Sequence, residues 1–140
     1  MKKVMTFGTF DMLHEGHKNF LKQAKEKGDK LIVVVARNSN VLSSKGEKPF
    51  FDLKKRIEGV KELNIADLVI EGRKKDIYKV IWELQPDIIC LGYDQEGKGI
   101  EEEIKRKKLN IQVIRLKPYK EYKYKSSLFK NMKKCQSKYD

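Results

Sequence analysis

The sequence predicts one three-layer α/β sandwich of the doubly wound kind on a five-stranded parallel sheet. Apolar strand-like runs alternate with amphipathic helix-like runs five times along the chain. Two of those runs, Leu31 to Ala36 and Asp87 to Leu91 after its first residue, are apolar without a break, as strands covered on both faces must be. No repeat or low-complexity linker divides the 140 residues, which is close to the usual size of a single domain. Residues 1–140 are therefore expected to form one domain, with a basic helix or tail from about 126.

Lys2 to Phe7 alternates weakly and stops at Gly8, which predicts the first strand. His17, Phe20, Leu21 and Ala24 recur at helical spacing and end at Gly28, predicting the first helix. Leu31 to Ala36 is the second strand, and the polar segment Arg37 to Phe51 leads to a helix marked by Leu53, Ile57, Val60 and Leu63. Asp67 to Ile70 predicts a short strand, and Ile77, Tyr78, Val80, Ile81 and Leu84 predict a third helix. Asp87 to Leu91 is the fourth strand, Gly99 to Leu109 a highly charged helix, Ile111 to Leu116 the fifth strand, and Ser126 to Lys138 a last helix.

Composition removes several classes of function. The longest apolar run is six residues, Leu31 to Ala36, against the roughly 20 of a membrane span, and the opening residues lack the apolar core of a signal peptide. A cytoplasmic location is expected. Cys90 and Cys135 lie far apart with no metal-ligand spacing, so reduced thiols are expected, Cys90 as core packing. The net charge of +12 points to anionic partners, nucleic acid or a phosphorylated substrate. From Lys117 to Asp140 eight lysines face only Glu121 and Asp140, a composition that also fits a solvated helical face.

In a doubly wound sheet ligands sit beyond the carboxyl ends of the strands, so the segments that follow strands carry the chemistry. After the first strand comes Gly8-Thr9-Phe10-Asp11-Met12-Leu13-His14-Glu15-Gly16-His17, which holds both histidines of the chain where a helix begins. Unpaired N–H groups and the positive end of the helix dipole favour an anion there, and imidazoles donate hydrogen bonds to phosphate oxygens. Gly16 removes a side chain from the approach. The same histidines also suit capping or packing roles, and a metal pair lacks a third ligand of suitable spacing.

This stretch resembles the signature of the HxGH nucleotidylyltransferase superfamily at Gly8, Thr9, Phe10, Asp11, His14, Gly16 and His17. The resemblance implies a Rossmann-like fold and transfer of a nucleotidyl group from a nucleoside triphosphate to a phosphate-bearing acceptor. Pyrophosphate is then released, with Mg²⁺ as the cofactor. Thr9, Phe10, Asp11, His14, Gly16 and His17 are by this resemblance nucleotide-binding, and His14 and His17 catalytic. Asp11 is open to three roles: holding metal, orienting a histidine, or capping the loop.

The chain is similar to the cytidylyltransferase-like branch from Met1 to about Ser127, which implies further contacts. Lys45, Lys48 and Arg56 match its basic residues near the phosphates, with Lys45 and Arg56 taken as catalytic; Arg56, between Leu53 and Ile57, is expected to point inward. Gly92, Tyr93, Asp94 and Gln95 follow the fourth strand and match a loop that reads the base in relatives. Ser126 and Ser127 match a hydroxyl pair at a helix start, although the arginine usual before such a pair is replaced by Lys125 or Lys123, without the bidentate fork.

The Leu91-Gly92-Tyr93-Asp94-Gln95 loop and the preceding Arg37-Asn38 are similar to those of archaeal-type FAD synthases, which implies ATP and FMN as substrates. The chain also resembles glycerol-3-phosphate cytidylyltransferases, which implies CTP and a small phosphorylated alcohol. Physical reasoning from the residues does not separate adenine from cytosine. A homodimer is implied by resemblance alone. A different class, a basic non-catalytic nucleic-acid-binding module, predicts affinity that falls steeply with salt.

Overall fold

Five strands, all parallel, form the sheet of the computed structural model, which describes residues 1–39, 42, 46, 48–73, 78–92 and 98–117. They are β1 (Lys3–Gly8), β2 (Lys30–Val35), β3 (Leu68–Glu71), β4 (Ile88–Leu91) and β5 (Gln112–Arg115), in the spatial order β3-β2-β1-β4-β5. Between them lie α1 (Glu15–Glu26), α2 (Leu53–Glu62), α3 (Lys79–Leu84) and α4 (Lys98–Arg106). The expected alternation is observed, each predicted element up to the fifth strand returning with small shifts at its ends. The expected helix over 126–138 lies outside the described residues.

Alternation of side chains along each strand splits the core in two. Val4, Leu31, Val33, Val35, Ile88 and Cys90 face one layer with Leu21 and Ala24 of α1 and Val60 of α2. Met5, Ile32, Val34, Ile89 and Leu91 face the other with Val80 and Ile81 of α3 and Ile104 of α4. Both faces of β2 and β4 are thus dry, which explains their unbroken apolar runs. Cys90 is core packing as expected, and burial pushes its thiol up to about 11. Among the described residues no helix is long and apolar enough to cross a membrane.

The amino ends of the strands are stitched by three aspartates that each precede a strand. Asp29 accepts from the Lys2 N–H at 2.7 Å, Asp87 from the Lys3 N–H at 2.8 Å, and Asp67 from the Leu31 N–H at 2.8 Å. The Lys25 ammonium and the Leu31 N–H hold the Asp67 carboxyl below the usual carboxylate range. At the opposite end the chain runs outward from β1 to β2 and β3, then returns to β4 on the other side of β1. This reversal of direction leaves a crevice beyond Gly8 and Leu91, the place where such sheets bind ligands.

Candidate active site

The loop after β1 enters the crevice and ends in α1. His14 has extended backbone (φ −145°) and serves as the N-cap of that helix. Its Nδ1 accepts the Gly16 N–H at 3.0 Å, and His17 Nδ1 accepts the His14 N–H at 3.3 Å. The two imidazoles therefore satisfy each other's helix end, a capping box made of histidines in place of the usual hydroxyl and carboxylate. Their ring centroids are 4.1 Å apart, inclined at 44°.

This hydrogen bonding assigns the protonation state. A ring nitrogen that accepts from a backbone N–H carries no proton, so each neutral ring holds its proton on Nε2. The pair is thus a set of two Nε2–H donors at a helix N-terminus. Burial holds the His14 pKa below its ordinary 6.5, outweighing the opposite pull of the Glu15 carboxylate. For His14 the neutral donor form is accordingly favoured and the charge-bearing imidazolium disfavoured.

Phe10 stands behind the pair. It is buried, with its ring centroid 5.8 Å from that of His17 and 6.5 Å from that of Phe20, and its backbone lies in the left-handed region at φ 51°. A bulky residue in that region is strained by about 1–3 kcal/mol, a cost the surrounding packing must offset. The turn it creates takes the chain off β1 and toward α1.

Arg56 of α2 is inward, as expected, and only 1% exposed. Its guanidinium donates to the Thr9 carbonyl at 2.8 Å, to Asn38 Oδ1 at 2.6 Å and, through Nε, to the Phe51 carbonyl at 3.0 Å. It thereby joins the segments that follow β1, follow β2 and precede α2. Asp11, 3% exposed, accepts the Phe50 N–H at 2.5 Å and the Phe51 N–H at 2.8 Å, one with each carboxylate oxygen. Of the three roles open to it from sequence, the observed contacts are those of a loop cap. Asp52 caps α2 by accepting the Lys55 N–H at 3.0 Å.

The structure thus brings Thr9, Phe10, Asp11, His14, Gly16, His17 and Arg56 together. Gly92 begins the next loop of the crevice, beside β1 because Thr6 pairs with Cys90 in register, and its carbonyl accepts from Arg115 at 2.8 Å. Lys48 is exposed. Lys45, Tyr93, Asp94, Gln95, Ser126 and Ser127 lie outside the described residues. Sequence reasoning missed Asn38 as the partner of Arg56, Arg115 as the anchor of Gly92, and Asp52; an aspartate directly before the apolar periodicity of α2 was a readable N-cap signal. The Phe50 and Phe51 N–H groups had no such signal, because a backbone donor leaves no trace in side-chain type.

Residues 5–132 match the protein family described as Cytidylyltransferase-like. An FAD synthase of Archaeoglobus profundus is 46% identical over 129 residues, covering 91% of this chain and 82% of that protein. An FAD synthase of Thermococcus sibiricus is 42% identical over 134 residues, 94% of this chain and 88% of that protein. A crystal structure from Thermoplasma volcanium, described as a lipopolysaccharide core biosynthesis protein, superposes with a TM-score of 0.79 at 39% identity, covering 85% of this chain and 98% of that one.

Proposed function

The chain belongs to the cytidylyltransferase-like family, and we propose from that premise that it transfers AMP from ATP to the phosphate of FMN, forming FAD and pyrophosphate. The FAD synthase relatives, 40–46% identical over most of the chain, support this choice of substrates over CTP and a small phosphorylated alcohol. The observation that supports the chemistry is the pairing of His14 and His17 at the N-terminus of α1, each with Nδ1 accepting a backbone N–H and so with Nε2 left as the donor.

A phosphate oxygen of FMN attacks the α-phosphorus of ATP in line, the bond from that phosphorus to the bridging oxygen breaks, and the electron pair leaves with pyrophosphate. Phosphoryl-type transfer asks little covalent work of the protein; positioning and charge stabilisation supply the rate. His14 and His17 donate to the phosphate oxygens on which charge accumulates, and the N–H groups of α1 reinforce them. Thr9, Phe10, Asp11 and Gly16 shape the loop that carries this pair. Arg56 acts by fixing three loops against one another. Lys45, Ser126 and Ser127 are assigned to the leaving pyrophosphate or the acceptor, and Gly92, Tyr93, Asp94 and Gln95 to the base and ribose.

The family implies a divalent metal, and we assign Mg²⁺. Such an ion is usually held by substrate phosphates with one or two carboxylates. The described residues do not fit a cage of their own: none of their His, Cys, Asp and Glu side chains gather in threes, and both Asp11 oxygens accept backbone N–H groups.

The test is release of pyrophosphate from ATP or CTP in the presence of FMN, glycerol 3-phosphate or phosphocholine. Release with ATP and FMN, accompanied by FAD, is expected. Release with CTP and glycerol 3-phosphate transfers the chain to the other branch of the family, and release with no pair overturns the enzymatic reading.

A further inference from the structure

Among the described residues Phe50 is the most exposed large apolar side chain after Met1, at 64%, and it is held where it is. A scattered apolar side chain on a surface is ordinary; a pinned one beside a functional loop is not. The Phe50 N–H is bound by Asp11 at 2.5 Å, and Asp11 lies three residues before His14 in the same loop. The Phe51 ring meets Phe50 edge-on at 90°, centroids 4.8 Å apart, and the Phe51 backbone is fixed by Asp11 and by Arg56. Those bonds hold in place the backbone that presents Phe50. Cations flank it: Lys48 is exposed, and the Lys55 ammonium sits 6.0 Å from the Phe51 ring centroid.

A fixed aromatic face with cations next to it, at the rim of a phosphate-handling crevice, fits a ligand that has a planar ring at one end and a phosphate at the other. FMN has that build, with a flat tricyclic ring joined through a short polyol to its phosphate, whereas glycerol 3-phosphate has no ring. We propose that Phe50 is the stacking surface for the FMN ring and so a specificity-determining residue for the acceptor. This rests on the adenylyl-transfer reading above. Ring on ring, offset or edge-on, is a favoured aromatic geometry, and truncating such a platform to alanine typically weakens binding by about ten-fold or more.

The experiment compares the wild-type chain with Phe50→Ala and Phe50→Tyr, measuring initial rates of FAD formation with each substrate varied in turn, FMN binding by quenching of flavin fluorescence, and the melting temperature. Phe50→Ala is expected to raise both KM and Kd for FMN about ten-fold, with KM for ATP unchanged, and Phe50→Tyr to restore FMN binding to within about three-fold of wild type. Because the side chain is exposed, the melting temperature should hold in both variants. An unchanged KM for FMN in Phe50→Ala overturns the proposal, as does a rise in KM for ATP alone, which would place adenine on that ring. Wild-type protein that makes no FAD from FMN defeats the underlying reading instead, so the two failures are told apart.

Discussion

A histidine that caps its own helix is a donor with its direction chosen in advance. Because Nδ1 of both His14 and His17 is occupied by a backbone N–H, each ring has one proton to offer, on Nε2. Losing a preorganised donor of this type costs about 10²–10³ in rate, so His17→Ala should lower kcat by that factor while circular dichroism still shows a folded chain. Near-normal turnover would remove His17 from the reaction. His14 adds a pH dependence. Burial lowers its folded pKa below 6.5, so the unfolded chain takes up a proton more readily than the native one. The stability that neutral His14 contributes is full above its unfolded value and is lost as pH falls through the lowered folded one. Urea titrations between about pH 5 and 8 should show the wild-type midpoint falling on the acid side more steeply than that of His14→Asn, which keeps a capping oxygen and does not titrate there. Parallel curves would mean that His14 is not held neutral by the fold. At this scale the sequence was informative on location and silent on protonation: two histidines in one loop mark a site, but the tautomer depends on N–H groups that nearly every residue possesses.

Among the elements, α2 carries more of the site than its sequence suggests. Arg56, buried between Leu53 and Ile57, reaches the Thr9 carbonyl, Asn38 and the Phe51 carbonyl at once. A lysine keeps the charge and loses the planar fork, which separates two roles. If Arg56 acts through charge on a phosphate, a lysine in its place supplies part of that action, whereas a lysine cannot replace a clip. We expect Arg56→Lys to lose at least about 2 kcal/mol of unfolding free energy, close to the loss in Arg56→Met, because both leave buried carbonyls without their donors. KM for FMN should rise in both as the 48–51 segment loosens. Full retention of stability in Arg56→Lys with a selective rise in KM for ATP would return Arg56 to the phosphates. The inward aim of Arg56 was legible from its apolar neighbours. Its partners were not, since carbonyls from residues 9 and 51 meet only once the sheet has brought β1 and α2 together. The strands were legible for the opposite reason: they are covered by helices on both faces, Val33 buried on one and Ile89 on the other, so burial is written directly into residue type. Helical backbone at Asn38, Ser39 and Leu42 was hidden in a polar segment, where exposed residues carry no apolar period.

For the molecule as a whole, the charge of +12 admits two readings, and salt separates them. A field of that sign raises the local concentration of any polyanion, ATP, FMN and nucleic acid alike, and it is screened over about 10 Å at 0.1 M salt. The crevice, by contrast, holds its donors out of bulk water at the end of α1, where screening reaches less. Raising monovalent salt from about 0.02 to 0.3 M should therefore lower kcat/KM for ATP and FMN several-fold while leaving kcat within about two-fold of its starting value. A single-stranded oligonucleotide should inhibit at the low end of that range and cease to inhibit at the high end, its affinity falling with a log–log slope of about −0.7 per phosphate contacted. FAD synthesis that persists after oligonucleotide binding has vanished makes nucleic-acid affinity a consequence of the field and not of a built site. Tight oligonucleotide binding that survives at high salt, in a chain that makes no FAD, would reverse that order and make the α/β sheet a scaffold for nucleic-acid recognition.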